Sequence, residues 1–323
     1  MSLLTLGRLS CKFSSSLRPN NLSFIEGCAG YAFIHRNQVV ILDGRQINEK
    51  SLRSGTNIEG GSALIGNTTI VAYEENEDIA QVKWVQLGFG VVLLLITENG
   101  LLQMYSDGGQ KLLHIYRMEK PVEFGPGIAS NGADRIYIGT SQGDIRTFQV
   151  HLNQLCLSQT LTSNAHTSPI SHLQAYRNIL ASGDVEGNIV VWDLGTNQPV
   201  ASFGPFQSAV NSLAVHDDVV VAGFLSGHVR IIQLSKDVVL EIAAHQRAIN
   251  AVDIDPKTGI FACASEDTFV SVFSLPDANN QVKCLGSMVP TPGLLTGISC
   301  SGSQSIIVVS AYDSHEIFLL KLT

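Results

Sequence analysis

The side chains able to do chemistry are present but scattered. The chain has nine histidines, and no HxxxH or HExxH pair sets two of them at metal-binding spacing. His166 and His172 stand six residues apart. The run "HDD" at 216–218 falls between two strand-like segments, where three polar residues make a solvated turn more readily than a metal site. Glu266 and Asp267 are neighbouring carboxylates, also in a turn. No GxSxG, P-loop or dinucleotide fingerprint occurs. Cys11, Cys28, Cys156, Cys263, Cys284 and Cys300 form no CxxC and sit mostly in or beside apolar runs, which predicts buried free thiols in a reducing compartment. The sequence therefore offers no catalytic residue, metal site or cofactor motif.

Bulk charge excludes further classes. The net charge is −8, the longest charged run is the acidic "EENED" at 74–78, and Lys and Arg are dispersed. A nucleic-acid binder needs a clustered basic footprint. The apolar run "VVLLLI" at 91–96 falls far short of the roughly 18 residues of a membrane span. Charged residues are only 15% of the chain, against about 25% in an average soluble protein. Such a neutral surface suits a protein that works against other proteins.

What elements position these residues? The stretch "NILASGDVEGNIVVW" reads as an apolar strand, a polar turn and a second strand ending at Trp192. The same pattern returns with anchors at Tyr105, Phe148, Ile232, Phe273 and Phe318, and more faintly at Leu42. From Tyr105 to Phe318 the anchors lie 43, 44, 40, 41 and 45 residues apart. Gly100, Gly143, Gly187 and Gly227 sit five residues before their anchors, where a two-residue hairpin turn needs φ > 0. Thr268 occupies that place in one unit and predicts a turn of different geometry.

A unit of 40–45 residues holds four short strands, the blade of a β-propeller, and seven anchors predict seven blades. The chain is read as one all-β domain, residues 1–323, with approximate blades at 20–76, 77–120, 121–163, 164–205, 206–243, 244–289 and 290–323 plus 2–12. The spacing of 63 between Leu42 and Tyr105 implies an insertion within 44–76. The last unit ends without a fourth strand, and "LLTLGRLS" near the N-terminus has no other partner. Residues near 3–10 are expected to supply that outer strand and close the ring. The alternative for the same segment is a mitochondrial transit peptide, since it carries Arg8, Lys12 and Arg18, many serines and no acid before Glu26.

The unit "AHTSPISHL…LASGDVEGNIVVWDL" resembles a WD40 repeat. In that family a His, a Ser, a turn carboxylate and a Trp form a buried hydrogen-bond chain. The resemblance maps this chain onto His166, Ser182, Glu186 and Trp192, with Glu in place of the usual Asp. A second, partial copy holds His245 and Asp267, with Cys263 for the Ser and Phe273 for the Trp. Short phrases such as "LLQMYSDG", "AHQRAINAVDI" and "YDSHEI" resemble one branch of the same family.

The resemblance implies a non-enzymatic protein–protein interaction scaffold of the cytoplasm, with a link to ciliary or microtubule assemblies as a further expectation. It also places partner-binding residues after each unit-opening His: Arg247, Gln246, Thr167 and Ser168, with Phe206 and Gln207 at the matching place between. The competing reading is a propeller enzyme or small-ligand binder that uses the central channel. The presumed inner strands "QVKWVQL", "ISHLQAY", "AVNSLAV" and "INAVDID" offer it few ionisable groups.

Overall fold

The structure is a computed structural model, and it describes residues 2–42, 68–71, 77–106, 108–118, 127–151, 154–161, 166–255, 257–301 and 306–323. These form seven antiparallel sheets arranged as a ring. Six sheets have four strands; the first has three, Tyr31–His35, Gln38–Leu42 and Thr68–Val71, with a bridge from Ser23 to Ala32 marking its inner edge. We number the blades in chain order from this sheet. Ile79–Leu87, Ile128–Ser130, Ile170–Tyr176, Val210–His216, Ile249–Asp255 and Leu295–Ser301 are the inner strands of blades two to seven, and neighbouring inner strands adjoin.

Burial follows from this stacking. A second strand such as Val219–Phe224 or Ile260–Ser265 lies between two other blades, so it reads as an unbroken apolar run. An outer strand such as Val238–Ala243 has one face in water and alternates accordingly. Cys156 and Cys284 are on outer strands and are exposed, whereas Cys11, Cys28 and Cys263 are buried free thiols. The expectation of buried thiols therefore fails where a strand has a wet face.

Seven hydrophobic clusters fill the ring, one between each pair of neighbouring blades. Each of the seven anchor residues falls in a different cluster: Leu42, Tyr105, Phe148, Trp192, Ile232, Phe273 and Phe318. That is why the period is so regular. One large side chain per blade must reach the neighbouring sheet.

Closure uses the N-terminal strand. Leu3–Ser10 pairs antiparallel with Glu316–Leu322 and completes blade seven as its outer strand. Leu3 packs into the cluster between blades six and seven, and Leu9 into the cluster between blades seven and one. Of the expected insertion at 44–76, only Thr68–Val71 lies within the described residues, as the outer strand of blade one.

The antiparallel meander brings the starts of the inner strands and the turns between second and third strands to one face of the ring, called here the upper face. Glycine is required in several of those turns. Gly143, Gly187 and Gly227 have φ of +84°, +90° and +82°, and a Cβ on each would lie 2.6, 2.6 and 2.3 Å from a carbonyl oxygen of His166, Ser208 and His245. The turn of one blade thus rests on the loop entering the next. Thr268 does not build a different turn: its φ of 74° matches that of the glycines, so a β-branched residue carries left-handed strain there.

Candidate interaction face

The loops that enter blades four and six are held from beneath by buried histidines. In blade four, Trp192 Nε1 donates to Ser182 Oγ at 2.8 Å, and Ser182 Oγ lies 2.7 Å from His166 Nε2. His166 Nδ1 lies 2.8 Å from Asp184 Oδ2. One tautomer satisfies the whole chain: Nδ1–H donates to Asp184, and Nε2 accepts from Ser182. The acid is therefore Asp184 and not Glu186. Asp184 ends the second strand, directly across from Ile170 and close to the histidine. Glu186 is one step further round the turn, exposed, and joins only through its backbone N–H, which donates to Asp184 Oδ1 at 3.0 Å. Burial pushes the Asp184 carboxyl up, but hydrogen bonds from His166 and Asn188 outweigh it and hold it below the usual value.

Blade six uses the other position. His245 Nδ1 lies 3.0 Å from Asp267 Oδ2, and Nε2 lies 3.1 Å from Cys263 Sγ. Counted back from its anchor, Asp267 matches Glu186, while the place of Asp184 is taken by Ser265. Phe273 has no N–H to offer and instead stacks on Phe261 at 5.2 Å. Burial lowers the His245 pKa against the opposing pull of Asp267, so the ring is held neutral.

Above these chains, Thr167, Gln246 and Arg247 are exposed at the loop tips, as is Gln207 on the matching loop of blade five. Arg247 pairs with Glu266 at 3.1 Å across the turn of its own blade. Ser168 is buried, because the loop turns inward toward the inner strand immediately after Thr167, and it presents no surface. Phe206 is half-buried, edge-on to the fully buried Phe224 at 5.7 Å, with the Arg230 guanidinium 4.3 Å above its ring.

The middle of the upper face is occupied by the chain itself, which the sequence reading did not foresee. After the closing strand, residues 14–22 cross the mouth of the channel. Ser15 bridges to Tyr312 of blade seven, and Asn20 reaches Asn250 of blade six through its N–H and Asn211 of blade five through Nδ2, each at 2.9 Å. Asn21 donates its N–H to Thr296 O at 3.0 Å, and its Oδ1 accepts the N–H of Ile34 in blade one at 2.6 Å. Arg18 meets Glu98 of blade two. Gly297 lets this strap approach: a Cβ there would lie 2.6 Å from Leu22 N. The signal in the sequence was the polar run "SSSLRPNN", whose backbone must find partners somewhere.

Below the strap, two ionisable groups share the channel. Lys83 of blade two reaches Gln174 Oε1 of blade four at 2.6 Å and is attracted to Asp253 of blade six. Burial lowers the Lys83 pKa to about 8 and raises that of Asp253 to about 6, although Asp253 accepts the N–H of Cys300 at 2.7 Å. His172 is buried on the inner strand of blade four, where its Nδ1 accepts the N–H of Leu213 at 3.1 Å. Among the described residues, no three His, Cys, Asp or Glu side chains gather as a metal site, and no helix is long and apolar enough to cross a membrane.

Known proteins match both sequence and shape. The sequence model of the WDR54 family matches residues 71–321. WD repeat-containing protein 54 of Mus musculus is 28% identical over 261 residues, covering 74% of this chain and 77% of the relative. The Homo sapiens protein of that name matches with the same figures. Among solved structures, a chain of the crystal structure of the mitotic checkpoint complex superposes with a TM-score of 0.78 at 15% identity, covering 98% of this chain and 91% of that one. That likeness concerns the fold alone.

Proposed function

Because the chain belongs to the WDR54 family, we propose that it is a non-catalytic protein–protein interaction scaffold whose seven blades, divided as above, act as one unit within a larger cytoplasmic or ciliary and microtubule-associated assembly. The observation that carries the reading is the rigid upper face. Exposed Thr167, Gln246 and Arg247 stand on loops whose buried histidines are hydrogen-bonded at both ring nitrogens, so little backbone freedom is lost when a partner docks, and Gln207 is exposed on the matching loop of blade five. The competing reading, a small-ligand site in the channel, draws on Lys83 and Asp253, but Lys83 is already bonded to Gln174 Oε1 and Asp253 to the N–H of Cys300.

Proximity labelling of the full-length protein with an unmodified N-terminus, in ciliated and non-ciliated cells, tests this. A reproducible set of neighbours is expected, reduced in Arg247→Ala, a change at a solvent-exposed tip that loses one surface ion pair and should leave the melting temperature close to that of wild type. Labelling identical in the two proteins overturns the assignment of this face. A set confined to soluble signalling proteins removes the ciliary and microtubule assignment.

A further inference from the structure

A Ser or Thr directly followed by Pro occurs twice in the chain, at Ser168-Pro169 and at Thr291-Pro292. Both pairs lie in loops that enter a blade from the upper face, the first into blade four and the second into blade seven. A hydroxyl followed by Pro is the acceptor pattern of proline-directed protein kinases, and the proline holds the residue before it in extended backbone. In sequence the two are equivalent. Their surroundings are not.

Thr291 stands four residues before the inner strand of blade seven, the place that His166 holds in blade four and His245 in blade six. Beneath it the polar chain of those blades gives way to apolar packing. Val308, fully buried, stands ten residues before the anchor Phe318, where blades four and six have Ser182 and Cys263. The Thr291 hydroxyl accepts the N–H of Gly293 in its own loop at 3.5 Å. Ser168 is buried, two residues after a histidine bonded at both ring nitrogens.

The loop of Thr291 also stands off from blade six. In blades four and five the turn between second and third strands accepts a bond from the next entry loop. Phe206 N–H donates to Gly187 O at 3.3 Å, and His245 N–H donates to Gly227 O at 3.0 Å. That approach needs glycine, because a Cβ on Gly187 or Gly227 would lie 2.6 or 2.3 Å from a carbonyl oxygen of the loop. Blade six has Thr268 at this position, in the same left-handed conformation. Its Cβ takes the space the loop would need, and among the described residues no bond joins the Thr291 N–H to Thr268 O. Pro290 is buried and roots the loop, while Val289 and Pro292 are exposed and Thr291 is half-buried between them.

We propose that Thr291 is a phosphorylation site for a proline-directed protein kinase, and that Ser168 is not. The kinase transfers the γ-phosphoryl group of ATP. The bond from the γ-phosphorus to the β–γ bridging oxygen breaks, and a bond to Thr291 Oγ forms. The hydroxyl proton passes to the base of the kinase, and ADP leaves. The product places about −1.5 to −2 charges on an upper-face loop, residues 289–293, that holds no charged side chain of its own. The proposal is independent of the scaffold reading, since it concerns access to one hydroxyl.

The test is incubation of the folded full-length protein with ATP and a purified mitogen-activated protein kinase or cyclin-dependent kinase, followed by peptide mapping in a mass spectrometer. Phosphate is expected on Thr291 and not on Ser168. Thr291→Val should take up none in that peptide, and Ser168→Ala should behave as wild type. Thr268→Gly lets the loop close on the turn as in blade five, so phosphorylation of Thr291 should slow several-fold in that variant. The heat-unfolded chain should accept phosphate at both sites. Ser168 modified as fast as Thr291 in the folded protein, Thr291 modified only after unfolding, or no incorporation from either kinase overturns the proposal. A rate unchanged in Thr268→Gly, or a Ser168 that stays unmodified in the unfolded chain, overturns the structural reason for the choice.

Discussion

Asp184 and Glu186 lie two residues apart in one turn, yet only one of them carries the hydrogen-bond chain of blade four. Asp184 takes His166, the Asn188 side chain and two backbone N–H groups, and is fully buried. Removing its charge leaves buried donors without a full partner, at a cost of about 1–3 kcal/mol. Asp184→Asn should therefore lower the urea midpoint clearly, while Glu186→Gln should leave it within error. The reverse ranking would restore Glu186 as the inner acid. Ser182 explains why the site needs a hydroxyl: it accepts from Trp192 while it donates to His166. In blade six that demand disappears with the indole, and Cys263 suffices under Phe273.

Among the elements, the strand Leu3–Ser10 does most to decide whether the ring exists. It is remote in sequence from its partner strand, yet it places Leu3 and Leu9 in two different interblade clusters. Without it the strand Glu316–Leu322 becomes an exposed sheet edge. Leu9→Asp buries a carboxylate between blades seven and one, and the lost packing alone is worth about 2–5 kcal/mol. Scanning calorimetry should show a lower and broader transition, and sedimentation should show aggregates formed through the freed edge. A melting curve superimposable on wild type would mean that the strand is dispensable. The lack of any local partner for this strand was readable in the sequence. The strap that follows it was not, because Ser15, Asn20 and Asn21 bond to Thr296, Asn211 and Ser310, far along the chain.

For the whole molecule, acid stability is set by groups that the ring buries in opposite senses. Burial, with the nearby positive charge of Lys83 adding to it, lowers the pKa of His172 well below its ordinary value; burial also lowers that of His245. The unfolded chain then takes up protons below about pH 6.5 that the folded protein refuses, so both histidines lower stability as the pH falls, His172 by up to about 1.4 kcal/mol per pH unit. Asp253 acts oppositely. Its folded pKa is raised to about 6, so protonation there favours the folded state as pH falls from about 6 toward 3.8. His172→Asn keeps an acceptor for the N–H of Leu213 and removes the titration. Its urea midpoint should fall less than that of wild type between about pH 7 and about pH 5. Equal slopes would show that His172 is protonated in the folded protein.

The sequence by itself determined the class, the number of blades and the anchors. All three follow from local periodicity, since each blade is a four-strand unit and each anchor must fill one interblade cluster. It also singled out His166, Ser182, Trp192, His245 and Asp267. Only the tertiary structure decided which acid joins the chain of blade four, that Ser168 turns inward, that Thr268 accepts the same strained turn as glycine, and that residues 14–22 bond to blades one, two, five, six and seven. The physical reason is common to these. A repeat is written in spacing along the chain, whereas a hydrogen-bond partner or a close approach depends on how neighbouring blades meet in space.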